Sequence, residues 1–134
     1  MKSNLGHLQI NVRPENLGFY RNLLEFLGWT LIFEEGEYFG MGCENGASLW
    51  FGAGIKDLDN DYDGRGMNHL AISVDSQGEV DQAVDYLKKN NVAALFETPR
   101  HRPEFSSPGN TYYQVMFESP DKILFEVSYT GPKQ

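Results

Sequence analysis

The clearest pattern in the sequence is an alternating heptapeptide that occurs twice. Residues 6–12 place leucine, isoleucine and valine on one face of a strand and polar residues on the other face. Residues 68–74 repeat the pattern 62 positions later, and a histidine precedes the leucine in both copies. The repeat predicts two equivalent strands whose polar faces carry His7 and His69.

An apolar stripe at helical spacing follows each of these strands. The first stripe stops at Gly28, and the second begins after residues 75–78. The first helix has two possible starts, with Asn16 as the N-cap or with Pro14 in the first turn. The stripes consist of Tyr20, Leu23, Leu24 and Leu27 in the first copy and of Val80, Ala83, Val84 and Leu87 in the second.

Three further strands are predicted after each helix. The first set is 29–34, 37–43 and 47–51, and the second set is 92–97, 111–117 and 123–129. Asn45-Gly46 is typical of a hairpin turn, residues 98–109 with their three prolines predict a long loop, and residues 130–134 predict a frayed tail.

Each half of the chain therefore has the order β-α-β-β-β. We expect one α+β domain over residues 1–134, with one module at about 5–52, a Gly-rich and acidic linker at 53–66, and a second module at about 67–130. A single module cannot bury a full sheet face by itself. We therefore predict that the two tandem βαβββ modules form a curved mixed β-sheet that encloses a cleft, with the helices outside.

Composition narrows the class of protein. The net charge of −8 and a pI near 4.7 disfavour nucleic acid and anionic membrane as partners, and no apolar run approaches the ~20 residues of a membrane helix. The N-terminal residues contain no apolar signal segment, and the single cysteine, Cys43, excludes an internal disulfide. These features predict a cytoplasmic protein.

Strand parity brings three chemically active residues to the cleft. In the last strand Ile123, Phe125 and Val127 share the more apolar face, which should pack against the helices, so Glu126 should face the cleft together with His7 and His69. Two imidazoles and one carboxylate suit one divalent ion of Fe, Mn, Zn, Ni or Co and leave coordination positions open. The pattern predicts an open metal site.

The register of the last hairpin decides which residues accompany Glu126. If Phe117 pairs with Ile123, then Tyr112, Gln114 and Met116 share its face. A register change of one residue would replace them with Tyr113, Val115 and Phe117. We favour the first register because it keeps the more apolar set against the helix.

The tandem modules, the His-Leu-x-Ile-x-Val strands and the segments 19–29 and 117–127 together resemble the vicinal oxygen chelate superfamily. This superfamily includes glyoxalases, bleomycin-resistance proteins, fosfomycin-resistance enzymes and extradiol dioxygenases. The resemblance covers nearly the whole chain and places the metal ligands on His7, His69 and Glu126. Glyoxalases add a glutamate on the fourth strand, but Trp50 occupies that position here, which implies three protein ligands.

The resemblance implies a metalloenzyme that acts on a small oxygen-bearing substrate, with the reaction type left open. The alternatives are a fosfomycin-resistance-like thiol transferase and a non-catalytic protein that sequesters a small molecule. Short members of the superfamily often complete the cleft across a dimer, so we expect a homodimer. The catalytic residue is left open, with Tyr112, Tyr113 and His101 as candidates, and the expected substrate contacts are Gln9, Trp50, Gln114, Met116 and Arg100.

Overall fold

The computed structural model describes all 134 residues, which divide into two units, Met1–Asp59 and Asn60–Gln134. Each unit contains one α-helix and one four-stranded mixed sheet. The predicted α+β fold of two tandem βαβββ modules is therefore confirmed. Neither helix is long and apolar enough to span a membrane.

In the first unit, the sheet has the strand order β1-β4-β3-β2, and β1 runs parallel to β4. Its helix α1, Leu17–Phe26, follows a 3-10 turn at Pro14–Asn16. Pro14 opens this turn, and Asn16 occupies the N-cap position of α1 without a side-chain capping hydrogen bond. The helix ends where Gly28 adopts a positive φ of 87° and the Trp29 amide donates to the Leu24 carbonyl. The strands are β1 (His7–Asn11), β2 (Thr30–Glu35), β3 (Tyr38–Gly42) and β4 (Ser48–Gly52).

Helix α1 covers one face of this sheet. Tyr20, Leu23 and Leu24 are fully buried, and the Tyr20 ring stacks on Phe51 of β4 with a centroid separation of 4.8 Å. Ile10 lies on the same apolar side of its strand, as the alternation predicts. The other side of the sheet consequently carries the polar set of β1, including His7 and Gln9.

The second unit repeats this arrangement with the strand order β5-β8-β7-β6. Helix α2, Gln77–Lys89, begins at Ser76, whose hydroxyl accepts from the Glu79 amide at 3.2 Å. Its four buried residues are those of the predicted stripe. The strands are β5 (Leu70–Ser73), β6 (Ala94–His101), β7 (Asn110–Glu118) and β8 (Leu124–Pro132).

Two predictions about irregular segments are wrong. The predicted loop 98–109 begins with strand, because β6 continues to His101 and is followed by a 3-10 turn at Pro103–Phe105. Pro99 is tolerated because β6 is an edge strand whose register is interrupted between Leu95 and Arg100. The tail is also not frayed, since β8 continues to Pro132 and the Gln77 amide donates to the side chain of Gln134.

The last hairpin has a register two residues away from the one we favoured. Phe117 pairs with Phe125, so Met116 pairs with Glu126 and Gln114 with Ser128. A shift of two residues keeps every side chain on its predicted face, because side chains alternate with a period of two. Tyr112, Gln114 and Met116 therefore share a face with Glu126, as predicted.

Candidate functional site

A buried carboxylate lies on the side of the second sheet that faces away from α2. Glu126 of β8 is only 2% exposed, although its two neighbours in the strand, Phe125 and Val127, point into the apolar core. Its nearest partners are the Tyr112 hydroxyl, which donates to Oε1, and His69 Nε2, which is 3.0 Å from Oε2. A charged group at this depth requires such partners, because burying it alone would be costly.

Asn68 sets the orientation of the His69 ring. Its Oδ1 lies 2.7 Å from His69 Nδ1, and its Nδ2 donates to the Tyr62 carbonyl. Because a side-chain carbonyl oxygen only accepts, the proton of the imidazole lies on Nδ1. The other ring nitrogen, Nε2, then faces the Glu126 carboxylate.

His69 Nε2 and the Glu126 carboxylate oxygen, 3.0 Å apart, would repel each other if each presented a lone pair, so a positive charge is needed between them. A proton or a metal cation can supply this charge. A ring nitrogen that is anchored through its opposite N–H to a carbonyl oxygen is also the usual arrangement of a metal-binding histidine. His69 and Glu126 therefore fit two adjacent positions of a metal site, although neither unit by itself gathers three histidine, cysteine or acidic side chains.

Tyr112 supports the carboxylate from β7. Burial raises the pKa of its phenol, and the hydrogen bond to Glu126 raises that pKa further. The phenol therefore stays protonated as a donor over the ordinary pH range. Tyr112 holds one oxygen of Glu126 and leaves the other oxygen directed at His69.

These groups open into a cavity of about 470 Å³ that lies entirely within the second unit. This volume is in the usual range for small-molecule sites, about 300–1,000 Å³. Its lining combines polar groups, among them Glu126 and His69, with apolar side chains. The apolar lining consists of Phe96, Phe105, Met116 and Leu124.

Phe96 reaches the cavity through an unusual backbone. Phe96 and Glu97 are consecutive non-glycine residues with positive φ angles of 56° and 59°. They lie where the register between β6 and β7 is interrupted. Each such conformation costs about 1–2 kcal/mol, and strained residues of this kind concentrate at functional sites.

The structure does not bring two of the catalytic candidates to Glu126. Tyr113 lies on the helix side of β7, where its hydroxyl donates to Asp81 of α2 at 2.7 Å. His101 pairs with Tyr113 in the sheet, and its Nδ1 is 2.7 Å from the Thr111 hydroxyl. Both side chains have partners on the opposite face of the sheet from Glu126.

Arg100 lies on the same face as Gln114, its cross-strand partner, but it does not line the cavity. Its Nε is buried without a hydrogen-bond partner, and its guanidinium approaches the exposed Glu97 carboxylate at 3.6 Å. Gln114 and Met116 do line the cavity.

The remaining candidates lie in the first unit, on the sheet face that α1 leaves uncovered. His7 is exposed on β1, and Gln9 pairs with Trp50 of β4. The Trp50 indole stacks on Tyr38 at 5.6 Å and donates from Nε1 to the Ser48 hydroxyl. Gly40 permits this packing, because a Cβ there would lie 2.7 Å from the indole ring. Trp50 is thus an apolar wall on the same face as His7.

Several lining residues were missed by the sequence analysis. Asn68 directly precedes His69, and an asparagine beside a candidate ligand histidine was an available signal. Tyr62 lay within the segment assigned to the linker, yet its hydroxyl donates to Glu118 at 2.8 Å and its ring lines the cavity. Phe96 and Phe105 depend on an irregular backbone that no alternation pattern indicates.

Comparison with known proteins assigns the family. A sequence model of the Glyoxalase/Bleomycin resistance protein/Dioxygenase superfamily matches residues 4–127, and the chain belongs to this superfamily. No curated protein matches the sequence.

Solved structures share the fold. A candidate glyoxalase from Bacillus halodurans is 25% identical with a TM-score of 0.77, over 93% of this chain and 94% of that one. A possible glyoxalase from Bacillus cereus is 20% identical with a TM-score of 0.68, over 94% and 98% of the two chains. The fosfomycin resistance protein FosX from Listeria monocytogenes is 22% identical with a TM-score of 0.68, over 96% and 94%.

Proposed function

We propose that the protein is a divalent-metal-dependent enzyme of the vicinal oxygen chelate type that acts on a small oxygen-bearing substrate. The observation that carries this proposal is the approach of His69 Nε2 to the buried Glu126 carboxylate at 3.0 Å, at the edge of a cavity large enough for a small molecule. His69 and Glu126 are the proposed ligands from the second unit, and His7 is the proposed third ligand from the first.

The proposed ligand set limits the metal and its chemistry. Two imidazole nitrogens and one carboxylate suit Fe(II), Mn(II), Zn(II), Ni(II) or Co(II), and three protein ligands leave room for a substrate. When bound, such an ion supplies Lewis-acid polarisation of a substrate oxygen.

The chain's own residues would prepare the site in three ways. Asn68 holds the His69 ring so that Nε2 faces Glu126, and Tyr112 fixes one oxygen of the carboxylate. Phe96, Phe105 and Met116 supply an apolar wall of the neighbouring cavity. Ligands that are held in position before the reaction strengthen the electrostatic interactions that favour a developing oxyanion.

Metal titration of the purified full chain tests the proposal. We expect about one Zn²⁺ or Ni²⁺ per chain by isothermal titration calorimetry. His69→Ala and Glu126→Gln should each lower the affinity by more than the 10–100-fold that is typical for loss of an outer-shell partner. His7→Ala should do the same if the first unit supplies the third ligand.

His101→Ala is the matched control, because His101 lies on the other face of the second sheet and contacts Thr111. It should bind metal like the wild type. A chain that binds no stoichiometric metal, or ligand variants that bind it as well as His101→Ala does, would contradict the proposal. That result would favour a non-catalytic protein that sequesters a small molecule in the same cavity.

We also propose that the protein is a cytoplasmic homodimer. The free thiol of Cys43 fits a reducing compartment. Large apolar side chains on the first unit, Phe26, Ile32 and Phe33, are 41–54% exposed and offer a contact area for a second copy.

A further inference from the structure

Gln114 differs from the other polar residues around the cavity. It lies in the middle of β7, it is only 3% exposed, and its side chain lines the cavity. Its amide makes no hydrogen bond to another group of the protein. A primary amide offers one acceptor and two donors. Arg100 Nε is the buried side-chain atom that is sealed off without a partner, so the Gln114 amide atoms stay accessible from the cavity.

The other polar lining groups are occupied within the protein. Tyr62 donates to Glu118, Arg102 donates to Glu104 at 2.5 Å, and Asn68, His69, Tyr112 and Glu126 bond to one another. Asp63 is exposed to solvent. Gln114 is therefore the buried lining group whose hydrogen-bonding capacity is left for a molecule in the cavity.

The apolar lining of the same cavity is also open to a bound molecule. Phe96 and Phe105 are 52% and 58% exposed, and the Arg102 guanidinium lies over the Phe105 ring at 4.7 Å from its centroid. Phe96 is held at the cavity in spite of its left-handed backbone. Apolar surface that covers a phenyl ring removes it from water, which is favourable, so a ligand with an apolar body would be retained there.

We propose that Gln114 is the specificity-determining residue of this cavity, and that the substrate is an amphiphilic molecule. A hydroxyl group of the substrate bonds to the Gln114 amide, and an apolar body, such as a ring, lies against Phe96 and Phe105. The inference rests on the proposed function in that the reacting oxygens lie near His69 and Glu126. The contact with Gln114 itself does not require a metal.

A matched pair of probes tests the role of Gln114. 2-Hydroxyacetophenone carries a phenyl ring with adjacent hydroxyl and carbonyl groups, and acetophenone lacks only the hydroxyl. We expect the full chain to bind the hydroxyl-bearing probe about tenfold more tightly, which is the value of one good hydrogen bond. Gln114→Leu should bind both probes equally, and a variant that keeps the preference would overturn the proposal.

Phe96→Ala tests the apolar half of the proposal. It should weaken both probes by a similar factor, about tenfold, and preserve their ratio. Leu58→Ala, which removes an exposed apolar side chain that does not line the cavity, should leave both affinities unchanged. Unchanged affinities in Phe96→Ala would overturn the assignment of the apolar body.

Thermal unfolding separates recognition from a structural role. Gln114→Leu loses no hydrogen bond within the protein, so its Tm should stay the same or rise. Thr98→Val is the comparison, because the buried Thr98 hydroxyl donates to Leu95 and accepts from the Met116 amide at 2.9 Å, and its Tm should fall by several degrees. A comparable fall in Gln114→Leu would show that Gln114 is structural and would overturn the proposal.

The probe titrations are run on the full chain both with added Zn²⁺ and with a chelator, so that this inference and the metal proposal fail separately. If no metal binds but Gln114→Leu abolishes the probe preference, the inference holds without the metal. If the preference requires the metal and survives in Gln114→Leu, the metal site holds and the inference is wrong.

Discussion

Asn68 decides which nitrogen of His69 faces Glu126. We predict that Asn68→Leu, which removes the acceptor for the Nδ1 proton, lowers metal affinity by about 10–100-fold. Asn68→Asp retains an acceptor at that position and should restore most of the affinity. Calorimetric titration with Zn²⁺ measures both effects.

Asn60→Ala is the control for this pair. Asn60 is an exposed asparagine of the same unit, and its side chain donates to the Lys122 carbonyl at 2.8 Å. It should bind metal normally. Equal affinities in Asn68→Leu and the wild type would show that the Asn68 contact does not support a ligand.

Tyr113 makes stability depend on pH in the alkaline range. Burial, followed by the hydrogen bond to Asp81, raises the pKa of its phenol from 10.0 to about 12. The folded state therefore holds this proton more tightly than the unfolded state. The resulting stability is fully present below pH 10 and is lost as the pH rises through about 12.

Urea unfolding across this pH range measures the effect. We expect the free energy of unfolding of the wild type to fall more steeply between pH 10 and about 12 than that of Tyr113→Phe, which has no phenolic proton to lose. Parallel profiles for the two proteins would contradict the assignment.

For single residues, the alternation of side chains along a strand was sufficient to predict the face on which Glu126 lies, because every second side chain of a strand points to the same face. The alternation also predicted the face of Tyr112, Gln114 and Met116 correctly, even though the register differed by two residues. It could not place Phe96, because a left-handed backbone at Phe96 and Glu97 breaks the alternation from which parity is inferred. It could not place His101 either, because that residue lay in a segment predicted to be a loop.

At the level of helices and strands, the hydrophobic periodicity of the sequence was sufficient to predict both βαβββ repeats. The helices were predictable because each buries a stripe at helical spacing and ends at a clear signal, such as Gly28. The extension of β6 to His101 was not predictable, because Pro99 disfavours a strand unless the strand lies at a sheet edge and its pairing is interrupted there.

Two glycines of the first unit, one in β3 and one in α1, test the packing described for that unit. Gly40→Ala puts a Cβ 2.7 Å from the Trp50 ring, which must shift, and we expect a loss of about 1–3 kcal/mol from overpacking. Gly18 in α1 has open space around it, so Gly18→Ala should stabilise the protein by up to about 1 kcal/mol through helix propensity.

Denaturant unfolding measures both stabilities, and tryptophan fluorescence should change in Gly40→Ala alone. Unchanged stability and fluorescence in Gly40→Ala would mean that Trp50 does not pack on β3 as described.

For the whole molecule, the exposed apolar residues of the first unit lead us to expect a homodimer. Light scattering of the purified chain should give twice the 15.2 kDa mass of one chain. Phe33→Ser, which replaces a side chain that is 41% exposed, should weaken association, whereas Leu58→Ser, at 76% exposure in the following segment, should not. A monomer at all concentrations would exclude the dimer.

We propose that His69 and Glu126, together with His7, hold a divalent metal. Anomalous diffraction from crystals of the full chain grown with Zn²⁺ tests it directly. We predict one strong site per chain with the ion about 2.0–2.2 Å from His69 Nε2, from a Glu126 oxygen and from a nitrogen of His7. An ion bound elsewhere, or an intact His69–Glu126 contact without metal at saturating Zn²⁺, would contradict the claim.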